Sequence, residues 1–170
     1  MNFEIVHTFE AERERVERAM FDPRLSGYLT RRMTLVREIQ LLDKREDDGG
    51  RLVRRVRYVP APMIRKVGAM PVRPEWMSWT EESSFEPGAH RVEYANVPTV
   101  PAVAELMEQR GEIRFEKDGP GRTRRVIRGT LRIKMPMVGG AVERLIYPNA
   151  ARILDEEAQA LAAWLAKGEA

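Results

Sequence analysis

The sequence has no cysteine and no long apolar run, and each absence removes a class of function. Without cysteine among its 170 residues, the chain can have neither disulfide bonds nor thiolate chemistry. No apolar segment approaches the roughly 20 residues that a membrane-spanning helix needs, and the opening MNFEIVHTFE lacks the apolar core of a signal peptide. We therefore expect a cytoplasmic protein.

Patterns of catalytic residues are also scarce. The only two histidines, His7 and His90, are far apart in the sequence, and no metal-binding spacing such as HExxH is present. No serine lies in a G-x-S-x-G motif, and the glycines at 49–50 and 119–121 fit turns better than a phosphate-binding loop. We expect His7 at the surface or rim of a sheet and His90 exposed. The sequence indicates no catalytic residue, no metal site and no cofactor.

Charged residues are abundant but nearly balanced. The chain has 29 basic and 26 acidic residues, a net charge of +3, which is too small an excess to indicate nucleic-acid binding. The basic residues cluster, however, at Arg51, Arg54, Arg55 and Arg57, and again at Arg122, Arg124, Arg125, Arg128, Arg132 and Lys134. Two interpretations remain open: a solvated outer face of a sheet, or a surface attracted to acidic lipid head groups.

The last part of the chain has the only long helix pattern. The length of the chain suggests a single domain over 1–170. Within it, apolar residues spaced by threes and fours from Val142 to Leu165 predict an amphipathic helix over 139–166. Pro148 lies inside this pattern and has no backbone donor, so we expect a kink or a break there, with pieces near 139–147 and 149–166. The helix either caps a sheet without a ligand or closes a cavity.

The preceding residues predict one strand, two short helices and six further strands. The first strand lies near 2–10, a helix ends at Asp22-Pro23, and Asp22 caps a second helix from Pro23 to Leu29. Alternation of apolar and polar residues then predicts strands near 31–45, 51–60, 76–85, 89–97 and 103–117, and a last strand with Ile127 and Leu131 inward and Arg124 and Arg128 outward. Successive hairpins with short turns predict a mostly antiparallel sheet.

This order of elements, with the opening FEIVHTFEAERERVERAMFDP and an Ala/Leu/Trp-rich final helix, resembles the START-like (SRPBCC) helix-grip superfamily. The resemblance spans the whole chain and is strongest to bacterial families of unassigned function. It implies an α+β fold in which a seven-stranded antiparallel curved sheet wraps around a long C-terminal helix, with two short helices after the first strand. The stretch WTEESSFEPGAHRVEYANVP is also similar to phospholipid-carrying PRELI-type proteins, at Glu81 or Glu82, His90 and Asn96.

Several polar residues share the predicted strand faces with the core: Arg37, Arg54, Glu81, Ser83, Tyr94, Asn96 and Gln109. A charge that faces a core is costly unless it is paired or hydrated. Two explanations remain open. These positions lie near sheet ends, or a bulge shifts the phase of the strand. Alternatively, the sheet and the helix enclose a cavity in which polar groups orient an apolar ligand. Arg54 and Glu81 lie on consecutive strands, so we expect a cross-strand pair.

The segment 61–75, APMIRKVGAMPVRPE, is a long insertion between strands. Segments of this length in compact proteins are usually functional or mobile. Its apolar residues together with Arg65, Lys66 and Arg73 fit a lid over a cavity, or a contact with an anionic membrane surface. The alternative is a short helix packed on the sheet edge. If the segment is a lid, Trp76 and Trp79 would lie at the cavity mouth.

The resemblance and the inferred cavity together predict binding, or binding and transport, of a lipid-like or other hydrophobic small molecule. A polyketide cyclase or dehydratase that uses Glu81, Tyr94 or Arg54 as acid, base or orienting group is the second hypothesis. A protein-interaction module with a filled core is the third. The predicted ligand-binding residues are Arg54, Tyr58, Met63, Trp79, Glu81, Tyr94, Asn96, Met107, Ile146 and Ile153.

Overall fold

The computed structural model describes residues 1–168, which form nine strands and four α-helices. In chain order the elements are β1 (Asn2–Phe9), α1 (Arg13–Met20), α2 (Leu25–Arg32), β2 (Val36–Glu46), β3 (Leu52–Pro60), β4 (Lys66–Val67), β5 (Met70–Pro71), β6 (Trp79–Glu86), β7 (Arg91–Pro98), α3 (Pro101–Leu106), β8 (Met107–Lys117), β9 (Thr123–Ile133) and α4 (Gly139–Ala166). Short 3-10 turns lie at Pro74–Met77 and Pro87–Ala89.

Seven strands form one antiparallel sheet in the order β1-β9-β8-β7-β6-β3-β2. β1 pairs only with β9, and β2 pairs only with β3, so β1 and β2 are the two edges of the sheet. The helix α4 packs against β9 and β1 and against both α1 and α2. The predicted α+β helix-grip architecture, with seven antiparallel strands around a long C-terminal helix, is therefore confirmed.

The alternation of side chains places the core on the inner face of the sheet. On β9, Ile127 and Leu131 are buried while Arg124 and Arg128 are exposed, as the pattern predicted. The apolar stripe of α4 faces this layer, and Trp164 meets the ring of Tyr28 edge-on at 4.9 Å between centroids. Complete burial of a side chain such as Ile127 or Leu131 contributes about 1.5–3 kcal/mol to the stability of the fold. The apolar contacts between the inner face of the sheet and α4 therefore stabilise the fold.

Of the kink or break expected at Pro148, the break is wrong, because α4 is one helix of 28 residues that runs through the proline. The side chain of Asn149, the next residue, donates a hydrogen bond to the carbonyl of Leu145 at 3.0 Å. Val142 and Ile153, on either side of the proline, are both buried. Packing of both halves on the same layer offsets the one hydrogen bond that proline removes.

Four predicted boundaries also differ. The strand predicted near 31–45 begins only at Val36, because residues 31–32 belong to α2. The second helix is Leu25–Arg32 rather than Pro23–Leu29, and Asp22 instead closes the turn before it, accepting the backbone N–H of Arg24 at 2.8 Å. Residues 103–106 belong to α3, which starts with a proline whose fixed φ favours a first helical position, and not to a strand. Trp76 lies in a 3-10 turn that precedes β6.

The prediction that Arg37 faces inward is wrong. The pairing of β2 with β3 shifts between Val36 and Glu38, which marks an irregularity of the β-bulge type. An extra residue in one strand reverses the direction of the side chains that follow it. Arg37 is consequently exposed, while Val36 and Ile39 are buried.

Candidate functional site

A cavity of about 470 Å³ lies between the inner face of the sheet and α4. Its walls are mostly apolar and come from α2, α3, α4, from β2, β3 and β6 to β9, and from the segment that contains β4 and β5. The structure brings together all of the predicted ligand-binding residues, each of which lines this cavity: Arg54, Tyr58, Met63, Trp79, Glu81, Tyr94, Asn96, Met107, Ile146 and Ile153. Lining residues that the sequence did not suggest include Leu25, Leu29, Val103, Arg125 and Glu157.

The segment 61–75 forms a small β-hairpin, so the alternative of a short packed α-helix is wrong. β4 and β5 pair through Val67 and Met70, and both of these side chains line the cavity. The basic side chains of Arg65, Lys66 and Arg73 are exposed. Val67 and Met70 thus border the cavity, although Met70 is 46% exposed, and the charged side chains of the hairpin face solvent.

Aromatic side chains line the cavity at the end of the sheet nearest this hairpin. Tyr58 and Trp79 are direct cross-strand partners, and their rings stack at 5.1 Å with an angle of 7° between planes. On the other side of β6, Pro98 of β7 is the cross-strand partner of Trp79, and it also lines the cavity. This end of the cavity is suited to flat or aliphatic groups.

The predicted pair of Arg54 and Glu81 is confirmed. The two residues are diagonal neighbours on β3 and β6, and Arg54 Nη2 donates to Glu81 Oε1 at 2.7 Å. Nη1 of the same arginine donates to the carbonyl of Met20 at 2.6 Å, and its guanidinium lies over the ring of Phe21 at 4.7 Å. The last residue of α1 therefore fixes the position of this charge.

A second ion pair, which the sequence interpretation missed, lies at the same end of the cavity. Both interpretations of the basic cluster put Arg125 at the surface, yet its side chain is 1% exposed, and its Nη1 donates to Glu157 Oε1 at 3.2 Å. The guanidinium lies over the ring of Phe9 at 5.4 Å. The signal was present in the alternation itself, because Arg125 is in phase with the inward-facing Ile127.

His7 supports Arg125 from β1 and does not line the cavity. Its Nδ1 accepts a hydrogen bond from Arg125 Nη2 at 3.1 Å, so the ring proton is on Nε2, which donates to Asp155 Oδ1 at 3.0 Å. Burial, followed by the charge of Arg125, lowers the pKa of His7 below its ordinary value. His7 is thus a neutral link between β9 and α4.

Tyr94 lies across the floor of the cavity because its neighbours are glycines. On the inner face it pairs with Gly111, which in turn pairs with Gly129. A Cβ atom at Gly129 would lie 2.7 Å from the Tyr94 hydroxyl oxygen, so only glycine leaves room for the phenol. Burial, with a smaller effect of Glu81, raises the pKa of Tyr94, which keeps its hydroxyl protonated at neutral pH.

The remaining polar candidates differ in their positions. Ser83 is buried but does not line the cavity, whereas Gln109 does. His90 is half-buried rather than exposed, and its Nδ1 lies 2.8 Å from Glu17 Oε1, outside the cavity. Burial raises the pKa of Glu17, against the hydrogen bond from His90. Within residues 1–168 no group of side chains suits a metal ion, and no helix is long and apolar enough to cross a membrane.

Comparison with known proteins supports the assignment of the fold. A family model described as protein of unknown function (DUF2505) matches residues 4–165, and no curated protein sequence matches the chain. A solved protein of Thermus thermophilus is similar over 100% of both chains, with 19% identity and a TM-score of 0.69.

Two further solved structures are similar over nearly all of both chains. The ZhuI aromatase/cyclase from Streptomyces sp. R1128 has 16% identity and a TM-score of 0.60, over 97% of this chain and 95% of its own. A START superfamily protein from Mycobacterium smegmatis has 14% identity and a TM-score of 0.59, over 98% and 97%. The fold is therefore START-like, as the sequence predicted.

Proposed function

The chain belongs to the DUF2505 family, and we propose that it binds a lipid-like or other hydrophobic small molecule between its sheet and α4. The observation that carries this proposal is the cavity of about 470 Å³ with mostly apolar walls and a few polar groups. Pockets for small molecules have volumes of roughly 300–1,000 Å³ and this same combination of apolar lining and few polar groups. An unfilled volume of this size also forfeits packing, which argues against an interaction module with a filled core.

The first test is direct. Native mass spectrometry of the purified protein is expected to detect a co-purified small molecule, and the protein is expected to enhance the fluorescence of the neutral probe N-phenyl-1-naphthylamine. Ala150→Phe places a ring in the cavity, which Ala150 lines, and is expected to abolish the enhancement.

Ala162→Phe is the matched control, because Ala162 is exposed on the same helix. Probe binding that survives Ala150→Phe, or that is lost equally in both variants, would contradict the assignment of the site.

Transfer to an anionic membrane through the β4–β5 hairpin is the second element of the proposal. Arg65, Lys66 and Arg73 are exposed on the hairpin whose apolar side lines the cavity. Each basic residue near an anionic surface contributes about 1 kcal/mol of attraction. Changing all three to Glu is expected to reduce co-sedimentation with phosphatidylserine-containing vesicles. Equal reduction by the same change at the exposed Arg18, Arg31 and Arg37 would show only a general charge effect.

A cyclase or dehydratase activity is the alternative function, and the pair of Glu81 and Arg54 favours it. A carboxylate held by a guanidinium at 2.7 Å beside the protonated phenol of Tyr94 can act as a base near a proton donor. Turnover of a poly-β-keto thioester, followed by mass spectrometry of the products, tests this function. Glu81→Gln is expected to abolish turnover while probe binding persists, and an absence of turnover by the wild-type protein would leave binding as the function.

A further inference from the structure

The two ion pairs of the cavity lie toward one end, while the uncharged side chains of Asn96 and Gln109 line it closer to Trp79. Arg54 and Arg125 both contact Met20, the last residue of α1, through its carbonyl oxygen at 2.6 Å and its sulfur at 3.8 Å respectively. The opposite end is formed by the stacked Tyr58 and Trp79 and by the apolar side of the hairpin. A bound molecule therefore has one environment for a polar head and another for an apolar body.

The two cations at the polar end are already engaged. Arg125 is 1% exposed, and its two terminal nitrogens donate to Glu157 and His7. Each terminal nitrogen of Arg54 donates a hydrogen bond as well, one to Glu81 and one to a backbone carbonyl. The Nε atoms of both arginines have no hydrogen-bond partner but are buried. The donors that remain accessible to an anionic head group are thus uncharged, such as the hydroxyl of Tyr94 and the side-chain amides of Asn96 and Gln109.

The carboxylates, by contrast, have capacity to accept. The side chains of Glu81 and Glu157 are 17% and 14% exposed and line the cavity. Each uses Oε1 for its arginine, and within the described residues 1–168 neither Oε2 takes part in a hydrogen bond. A carboxylate oxygen accepts more than one hydrogen bond, so these two carboxylates offer free acceptors to a ligand.

The charges at this end also balance. Arg54 is paired with Glu81 and Arg125 with Glu157, which leaves no net charge. A carboxylate ligand would add an unpaired negative charge in a poorly hydrated site, and an ammonium group would add a positive one. A neutral hydroxyl group adds neither, and it donates the hydrogen bond that the carboxylates lack.

We propose, on the basis of the binding function above, that the ligand is an uncharged molecule with an apolar body and an alcohol or phenol hydroxyl group. The hydroxyl donates to Oε2 of Glu81 or Glu157. The apolar body extends along the cavity toward Trp79 and the hairpin. Fatty acids and other carboxylates are consequently poor ligands.

Displacement of N-phenyl-1-naphthylamine by decanol, decanoate and decylamine at about pH 8, where the last two are charged, tests this proposal. Decanol is expected to displace the probe at a concentration at least about tenfold lower than either charged compound. Charged compounds prefer water in general. The decisive measurement is therefore the ratio of the decanoate concentration to the decanol concentration that displaces half of the probe, and how each variant changes this ratio.

Glu81→Gln leaves the charge of Arg54 without a partner, so decanoate is expected to gain about tenfold relative to decanol. Glu157→Gln is expected to act in the same direction through Arg125, and it serves as a second variant if the first does not fold. Glu82→Gln is the matched control, because Glu82 is exposed and paired with Arg55 on the outer face. Its ratio is expected to equal that of the wild type.

The outcomes separate the two proposals. Decanoate that binds the wild type as tightly as decanol overturns this inference, and so do glutamine variants with an unchanged ratio, while the proposed binding function stands in both cases. A wild-type protein that binds neither the probe nor any decyl compound overturns the binding function itself, and this inference with it. Thermal unfolding of each variant shows whether it is folded.

Discussion

Replacement of Arg125 by methionine tests the most unusual feature of the structure, a fully buried arginine in the last strand. Methionine has a similar length and no charge, so the substitution keeps much of the packing against Phe9 and Met20 while it removes the partner of Glu157. It also removes the hydrogen bond that Arg125 donates to His7. The expected result is a large loss of stability.

The magnitude follows from the burial of the pair. Loss of one member of a buried ion pair costs about 3–5 kcal/mol, because the other charge stays buried and unpaired. Glu157 lines the cavity and is 14% exposed, so water can rehydrate it in part and we expect the lower end, about 3 kcal/mol. With a urea dependence of about 2 kcal/mol per molar for a chain of this size, the midpoint of unfolding falls by roughly 1.5 M.

A double-mutant cycle identifies the source of this loss. Glu157→Gln alone is expected to be at least as destabilising, since it leaves Arg125 charged and enclosed. The double variant has no unpaired charge, so its cost is expected to be smaller than the sum of the two by about 2 kcal/mol.

Arg124→Met is the control, because its ion pair with Glu116 is on the exposed face and is worth less than about 1 kcal/mol. A loss below about 1 kcal/mol for Arg125→Met, or additive effects in the cycle, would refute the reasoning.

Three further predictions concern the frame of the cavity. Gly111→Ala brings a Cβ atom against a backbone carbonyl of β9 and is expected to lower the melting temperature strongly, whereas Gly88→Ala, at an open turn, is not. Leu161→Ala removes a fully buried side chain of α4 and is expected to cost about 3 kcal/mol in urea unfolding, against less than about 1 for the exposed Leu145→Ala. The lowered pKa of His7 means that the unfolded chain binds its proton more readily. Stability is therefore expected to fall as pH decreases from about 6.5, by at most about 1.4 kcal/mol per pH unit, and His7→Gln should flatten this slope; an unchanged slope would exclude His7 as its source.

Much of the fold could be predicted from the sequence because its signals are local. Alternation along β9 and the three-and-four spacing of α4 each depend only on neighbouring residues, and both are seen in the structure. The predictions failed where contacts between distant elements overrode a local preference of the sequence. Pro148 did not break α4, since packing on both sides of it favours a continuous helix, and the bulge beside Arg37 is a property of a strand pair rather than of one strand.

The candidate site was predicted only in part, for the same reason. Alternation placed Arg54 and Glu81 on one face, and their pairing followed from adjacent strands. Arg125 was hidden in an arginine-rich run whose other members are mostly exposed, and its partner Glu157 lies on a helix 32 residues away. Nothing in either local pattern shows that these two meet.

The sequence by itself determined the seven strands, the closing helix and, in most strands, the face that buries the apolar residues, because periodicity and turn residues act over a few positions. Only the tertiary structure decided that the enclosed space is not filled, that two arginines and two glutamates share one end of it, and that a hairpin borders the other end. The size of a cavity and the partner of a buried charge depend on how distant elements approach one another, and no local pattern encodes that distance.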